Sequence, residues 1–113
     1  MDSQQFVELL RTLVRDSAAS EELSILQDPP GKRPSPDVQE RSKWYHSLDE
    51  NQKRILSSVI LDVADRAVFG FLCVLDGVRA IENSNRGRLE LRYVNDKATL
   101  LNAPDGEMLH ELW

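Results

Sequence analysis

Cysteine is nearly absent from this chain: Cys73 stands alone among 113 residues. No intramolecular disulfide can form, and a single thiol suits a reducing, cytoplasmic setting. One cysteine with two separated histidines, His46 and His110, does not make a zinc ligand set. Long apolar runs are missing as well. The greasiest segment, "AVFGFLCVLDGVRAIE" at 67–82, holds an uncharged run of nine residues, 67–75, whereas a spanning helix needs about 20. No membrane span is expected. The start, "MDSQQFVELL", has an early acid and no apolar stretch, so no secretory leader is expected either.

Basic charge is in the minority, with 14 Lys and Arg against 19 Asp and Glu and a net charge of −5. That balance disfavours nucleic acid and anionic lipid, which are held through released counterions and surface potential. It favours encounter with a basic protein partner. Catalytic motifs are also lacking. There is no glycine-rich phosphate loop, no Gly-x-Ser-x-Gly and no His-Glu-x-x-His. Cys73 lies between Leu72 and Val74 inside an apolar helical pattern, away from any neighbouring base, which reads as a packed thiol rather than a nucleophile. No catalytic residue, metal site or cofactor is expected.

What the sequence does contain is helical periodicity. Phe6, Leu9, Leu10, Leu13 and Val14 fall at i, i+3, i+4 and i+7, predicting a helix over 3–16 capped by Asp2 or Ser3. A break at "DSAAS" and a short turn over 21–26 follow. "DPPGKRPSP" at 28–36, four prolines in nine residues, is a loop that separates this N-terminal piece from the main body of a single domain, 1–113. Ser35-Pro36 starts a second helix running to about His46. Its aromatic end, Trp44-Tyr45-His46, plugs a helix corner or, alternatively, stacks a ring ligand. "SLDE" at 47–50 matches a capping box of Ser47 with Glu50.

From Asp49 the helical pattern continues to about Asn83, a rod of roughly 52 Å at 1.5 Å per residue. A compact chain of this length is only about 34 Å across, so a break is expected at Gly70 or Gly77. The period then changes to two in "RLELRYV". Strands around "NDK" predict a β-hairpin over 88–102 that buries Leu89, Leu91 and Tyr93, with a short helix after Pro104 and Asp105. The fold class is therefore α+β: a helical bundle around the long central helix, 49–83, with a C-terminal hairpin and terminal helix.

On a helical wheel, the apolar residues between Val59 and Ile81 cover an arc of roughly 220°, more than twice the stripe of a surface helix. This predicts a buried spine. Its one polar stripe carries Asp62, Asp65 and Asp76 around Phe69 and Cys73, and those five residues form the candidate partner-binding surface. The competing account is a solvated stripe with its charges paired locally, Asp62 with Arg66, Asp76 with Arg79 and Glu82 with Arg86. In size, charge and lack of catalytic motifs the chain resembles the small bacterial immunity proteins that neutralise toxins. The resemblance implies a non-catalytic protein that blocks a basic toxin domain through the acidic stripe or the C-terminal hairpin and helix. The alternatives are a homo-oligomeric helical scaffold and a small ligand-binding protein or enzyme with a pocket near Trp44, Tyr45, Cys73 or His110.

Overall fold

The computed structural model describes residues 1–84 and 87–113, and its architecture is α+β. α1 covers Ser3–Leu10 and α2 covers Ser17–Gln27. Between them Arg11–Asp16 form a π-helical turn, so the chain is helical without interruption from 3 to 27. The break expected at "DSAAS" does not occur. That stretch has neither glycine nor proline, and its serines stay in the helix, with Ser17 Oγ donating to the Thr12 carbonyl at 3.0 Å. The extra residue of the π-turn re-aims the face that follows. Upstream, Phe6, Val7 and Leu10 pack on the C-terminal segment; downstream, Ala19 and Leu26 are buried where α2 meets the next helix. Asp2, not Ser3, caps α1, in a reciprocal box with Gln5. The Ser3 hydroxyl instead donates to the Leu101 carbonyl at 2.6 Å, tying the N-terminus to the hairpin.

α3 spans Pro36–His46 behind its Ser35 cap, as expected. It is fastened to α2 by Ser42 Oγ donating to the Leu26 carbonyl at 2.7 Å and by a 2.7 Å bond between His46 Nε2 and the Gln27 carbonyl. Tyr45 is buried at the corner, while Trp44 remains half-exposed. α4 begins at Glu50, and its cap is Asp49 in a box with Gln52 rather than Ser47 with Glu50. The same box chemistry is displaced by two residues, because Ser47 Oγ turns back to the Trp44 carbonyl.

α4 runs Glu50–Leu75, about 39 Å at 1.5 Å per residue. It stops eight residues before the predicted end, at Gly77, whose φ is +78°. The Gly77 N–H reaches the Val74 carbonyl at 3.1 Å and the Val78 N–H reaches Cys73 at 3.0 Å. This is a Schellman ending, which needs a left-handed residue. Gly70 stays helical and serves differently: the Arg79 guanidinium lies where a β-carbon on Gly70 would sit.

The hairpin is shorter than its pattern. β1, Arg92–Val94, pairs antiparallel with β2, Ala98–Leu100, with Tyr93 opposite Thr99. Leu91 packs on the core, but Leu89 and Tyr93 lie at the surface. α5 is one turn, Leu109–Leu112.

The core is small. Val7, Leu72 and Leu109 are its fully buried centre, ringed by Phe6, Leu10, Val68, Leu75, Leu91, Leu112 and Trp113. Of α4, only Gly70, Leu72 and Cys73 are buried. The buried spine is thus not what forms. The helix of 3–27 covers one side of α4 and the C-terminal segment covers another, and too little chain remains to cover a 220° arc.

Replacing Gly77 by Ala is expected to cost about 1–2 kcal/mol, the penalty of a left-handed non-glycine residue. No atom lies within 4 Å of the added methyl, so a urea melt of G77A reads the backbone term alone. An unchanged midpoint would contradict the Schellman ending.

Candidate functional site

The stripe of Asp62, Asp65, Phe69, Cys73 and Asp76 is largely used by the chain itself. Asp65 faces Arg15 from the π-turn, with Arg15 Nη1 3.1 Å from Asp65 Oδ1. Arg15 holds the Asp65 carboxyl below its ordinary pKa, with the Trp113 side chain and Arg11 pushing the same way. The Arg11 and Arg15 guanidinium groups both lie over the Trp113 ring, at 5.0 and 5.5 Å. Phe69 meets the His110 ring edge-on at 5.9 Å. Cys73 is buried. Asp76 is 3% exposed in its side chain, because its carboxylate accepts the N–H of Leu109 at 3.0 Å, the N–H of His110 at 2.8 Å, and lies 2.7 Å from His110 Nδ1. It caps α5. Arg15, His110 and Trp113 of the chain itself thus occupy much of this stripe.

Asp62 and Phe69 are exposed, and among the described residues Asp62 alone of the five is both exposed and without a side-chain partner. Among the described residues it makes no ion pair with Arg66, and Asp76 pairs with His110 rather than Arg79. The Glu82–Arg86 pairing lies outside the described residues. Asn102, which sequence reasoning missed, is a second fastener. It is buried, its Oδ1 accepts the Leu91 N–H, and its Nδ2 donates to the Leu75 and Leu89 carbonyls at 2.8 and 2.9 Å. One side chain thereby joins the hairpin to the end of α4. No local pattern marks it, since an asparagine after a strand reads as a turn residue.

The side of α4 turned away from the packed residues Val68, Leu72 and Leu75 is uncovered. Ile55, Val59, Val63, Ala67 and Phe71 follow one another at i+4 and all five are exposed, Val63 at 61% and Phe71 at 60%. Residues at this spacing form a continuous ridge inclined to the helix axis. Its N-terminal end merges with a shallow groove of about 300 Å³ lined by Trp44, Leu48, Gln52, Ile55, Leu56 and Val59. Ser58, Asp62, Arg66 and Gly70 make the neighbouring row. With Trp44, the ridge exposes on the order of 500 Å² of apolar side chain, near the top of the range for the largest patch on an ordinary monomer.

The molecule as a whole is extended. Its radius of gyration is 18.4 Å where a compact chain of this length has about 13 Å. Its accessible surface is 8391 Å² against about 6,300 Å² expected for a folded monomer of its mass.

Among the described residues, no helix is long and apolar enough to cross a membrane and no three His, Cys, Asp or Glu side chains gather into a metal site. Compared with known proteins, the chain matches no family, no curated protein and no solved structure.

Asp76→Ala is expected to destabilise the protein by about 2–3 kcal/mol, because two buried N–H groups lose their acceptor. The amides of Leu109 and His110 should exchange faster in D76A, and retained protection there would contradict the capping role. Asp65→Asn should cost under about 1 kcal/mol at neutral pH, since the pair is partly exposed. A depressed carboxyl adds stability above its unfolded pKa and loses it as pH falls through the folded one. The wild-type and D65N stabilities should therefore converge on acidification below about pH 4, read from urea melts across pH.

Proposed function

We propose that this protein is a non-catalytic protein-binding module whose docking surface is the apolar ridge of α4. One observation carries the reading: five successive i+4 positions on a rigid, well-capped helix are apolar and uncovered. A monomer's largest contiguous apolar patch, at this size, is often a functional surface. The excess surface of one chain, about 2,000 Å² over a compact monomer, exceeds the roughly 800 Å² that a standard interface takes from each partner. The lone thiol of Cys73 agrees with a cytoplasmic setting.

A second reading follows from the exposed Asp62 and the net charge of −5. A basic partner, such as the toxin domain met by an immunity protein, would be drawn to the acidic surface. Its contact would centre on Asp62 and the ridge, with Asp65 and Asp76 committed to internal bonds.

Both readings require position 63 to touch a protein. A photo-crosslinking residue in place of Val63, in the full chain in its native cells, is expected to give a protein adduct. The same group in place of Glu40, exposed on α3, is not. Equal yields from the two positions, or no adduct through position 63, overturn the proposal.

A further inference from the structure

We infer that the occupant of the ridge is a second copy of this chain, docked antiparallel on α4 about a two-fold axis between Asp62 and Arg66; this rests on the reading of the ridge as a docking surface. Three features of the face are self-complementary. The first is charge. Asp62 and Arg66 sit one turn apart in the row beside the ridge, and among the described residues neither joins an ion pair. A two-fold axis between them sets each Asp62 against the partner's Arg66, giving two equivalent ion pairs from one patch, as an isologous interface requires.

The second is shape along the row. Two i+4 ridges interdigitate when their helices cross at about −50°. The axes are then closest at the crossing point and diverge toward the ends. Here the small residues Val59, Val63 and Ala67 occupy the centre, and the large ones, Phe71 and the Trp44–Ile55 pair, occupy the ends. Side-chain size rises where the gap between helices widens.

The third is a knob and a hole at matching distances. Phe71 lies seven residues from the midpoint of Asp62 and Arg66 on one side. The groove between Trp44, Gln52, Ile55 and Val59 lies at a similar distance on the other. The two-fold axis carries the partner's Phe71 to that groove, and does so twice. The ridge offers on the order of 500 Å² of apolar side chain per copy, and the flanking row of Ser58, Asp62 and Arg66 adds polar surface toward the roughly 800 Å² that a standard interface takes from each partner. A flat insertion into anionic lipid fits less well, because such helices carry a polar face rich in Lys and Arg, and here Asp62 adjoins the ridge.

Sedimentation equilibrium of the purified chain from 1 to 200 μM tests this. The expected result is a concentration-dependent rise from 12.9 kDa toward twice that mass. Val63→Lys should abolish the rise while leaving the circular dichroism and the unfolding cooperativity of a folded chain, since Val63 is exposed. Asp62→Arg and Arg66→Asp should each weaken association roughly tenfold or more, two opposed pairs becoming two repulsive ones, and the double exchange D62R/R66D should restore it. A wild-type chain that stays at monomer mass at 200 μM overturns the second copy as occupant, whether or not it then sediments with anionic vesicles. The ridge reading would survive if position 63 crosslinks to a different protein. A dimer indifferent to V63K overturns both, and a dimer that loses affinity in the single charge variants without recovering in the double exchange overturns the two-fold register.

Discussion

The carboxylate of Asp76 is the constraint on which the arrangement of the C-terminal third depends. It sits at the last helical turn of α4 and receives the first two N–H groups of α5 together with the His110 ring. A single-turn helix has almost no stability of its own, since nucleation fixes several residues for one hydrogen bond. α5 exists because a buried anion supplies the acceptors that its first turn lacks. In doing so it delivers Leu109 to the core, the His110 ring to Phe69, and Trp113 to the guanidinium groups of Arg11 and Arg15. Asn102 performs the matching task for the hairpin from two residues beyond β2. The end of α4 is thus a hub where one helix terminus, one strand pair and one capped turn share their unsatisfied backbone groups.

The π-turn at Arg11–Asp16 belongs to the same scheme. Arg11 and Arg15 are four apart in sequence, and both reach the Trp113 ring, with Arg11 also donating to the carbonyls of Leu112 and Trp113. The turn lets α1 present apolar residues to the core while α2 presents Ala19 and Leu26 elsewhere. These basic and aromatic groups converge on Asp65 and Phe69 of α4 and on Asp76 at its C-cap, while the face from Asp62 round to Val63 and Ala67 stays free.

Much of the fold was legible in the sequence. The Ser35-Pro36 start, the change of period after residue 87, and Gly77 as one of two candidate breaks each rest on a local rule that nothing distant overrides. The misreadings share a cause. The wheel of α4 shows which residues are apolar but not how much chain is available to cover them, so an arc of roughly 220° predicts burial that the chain cannot supply. The same wheel identified the stripe of Asp62, Asp65, Phe69, Cys73 and Asp76 but not its occupant. That occupant comes from residues 50 positions earlier and more than 30 positions later. Asn102 left no trace because its role depends on a carbonyl of α4 that is distant in sequence. The end of α4 at Leu75 rather than 83 was the more local miss, and a positive-φ glycine followed by Val78 is the signal that resolves it.

The long α4 rod and thin core give the protein principal extents of 51 × 36 × 29 Å. A particle so far from spherical drags more solvent than its mass implies. Its frictional coefficient is raised, so it diffuses slowly and elutes early from a gel-filtration matrix, where a lone molecule takes the place of a rounder one of larger mass. Shape and stoichiometry are therefore entangled in any transport measurement on this chain, and only a quantity governed by mass itself separates them.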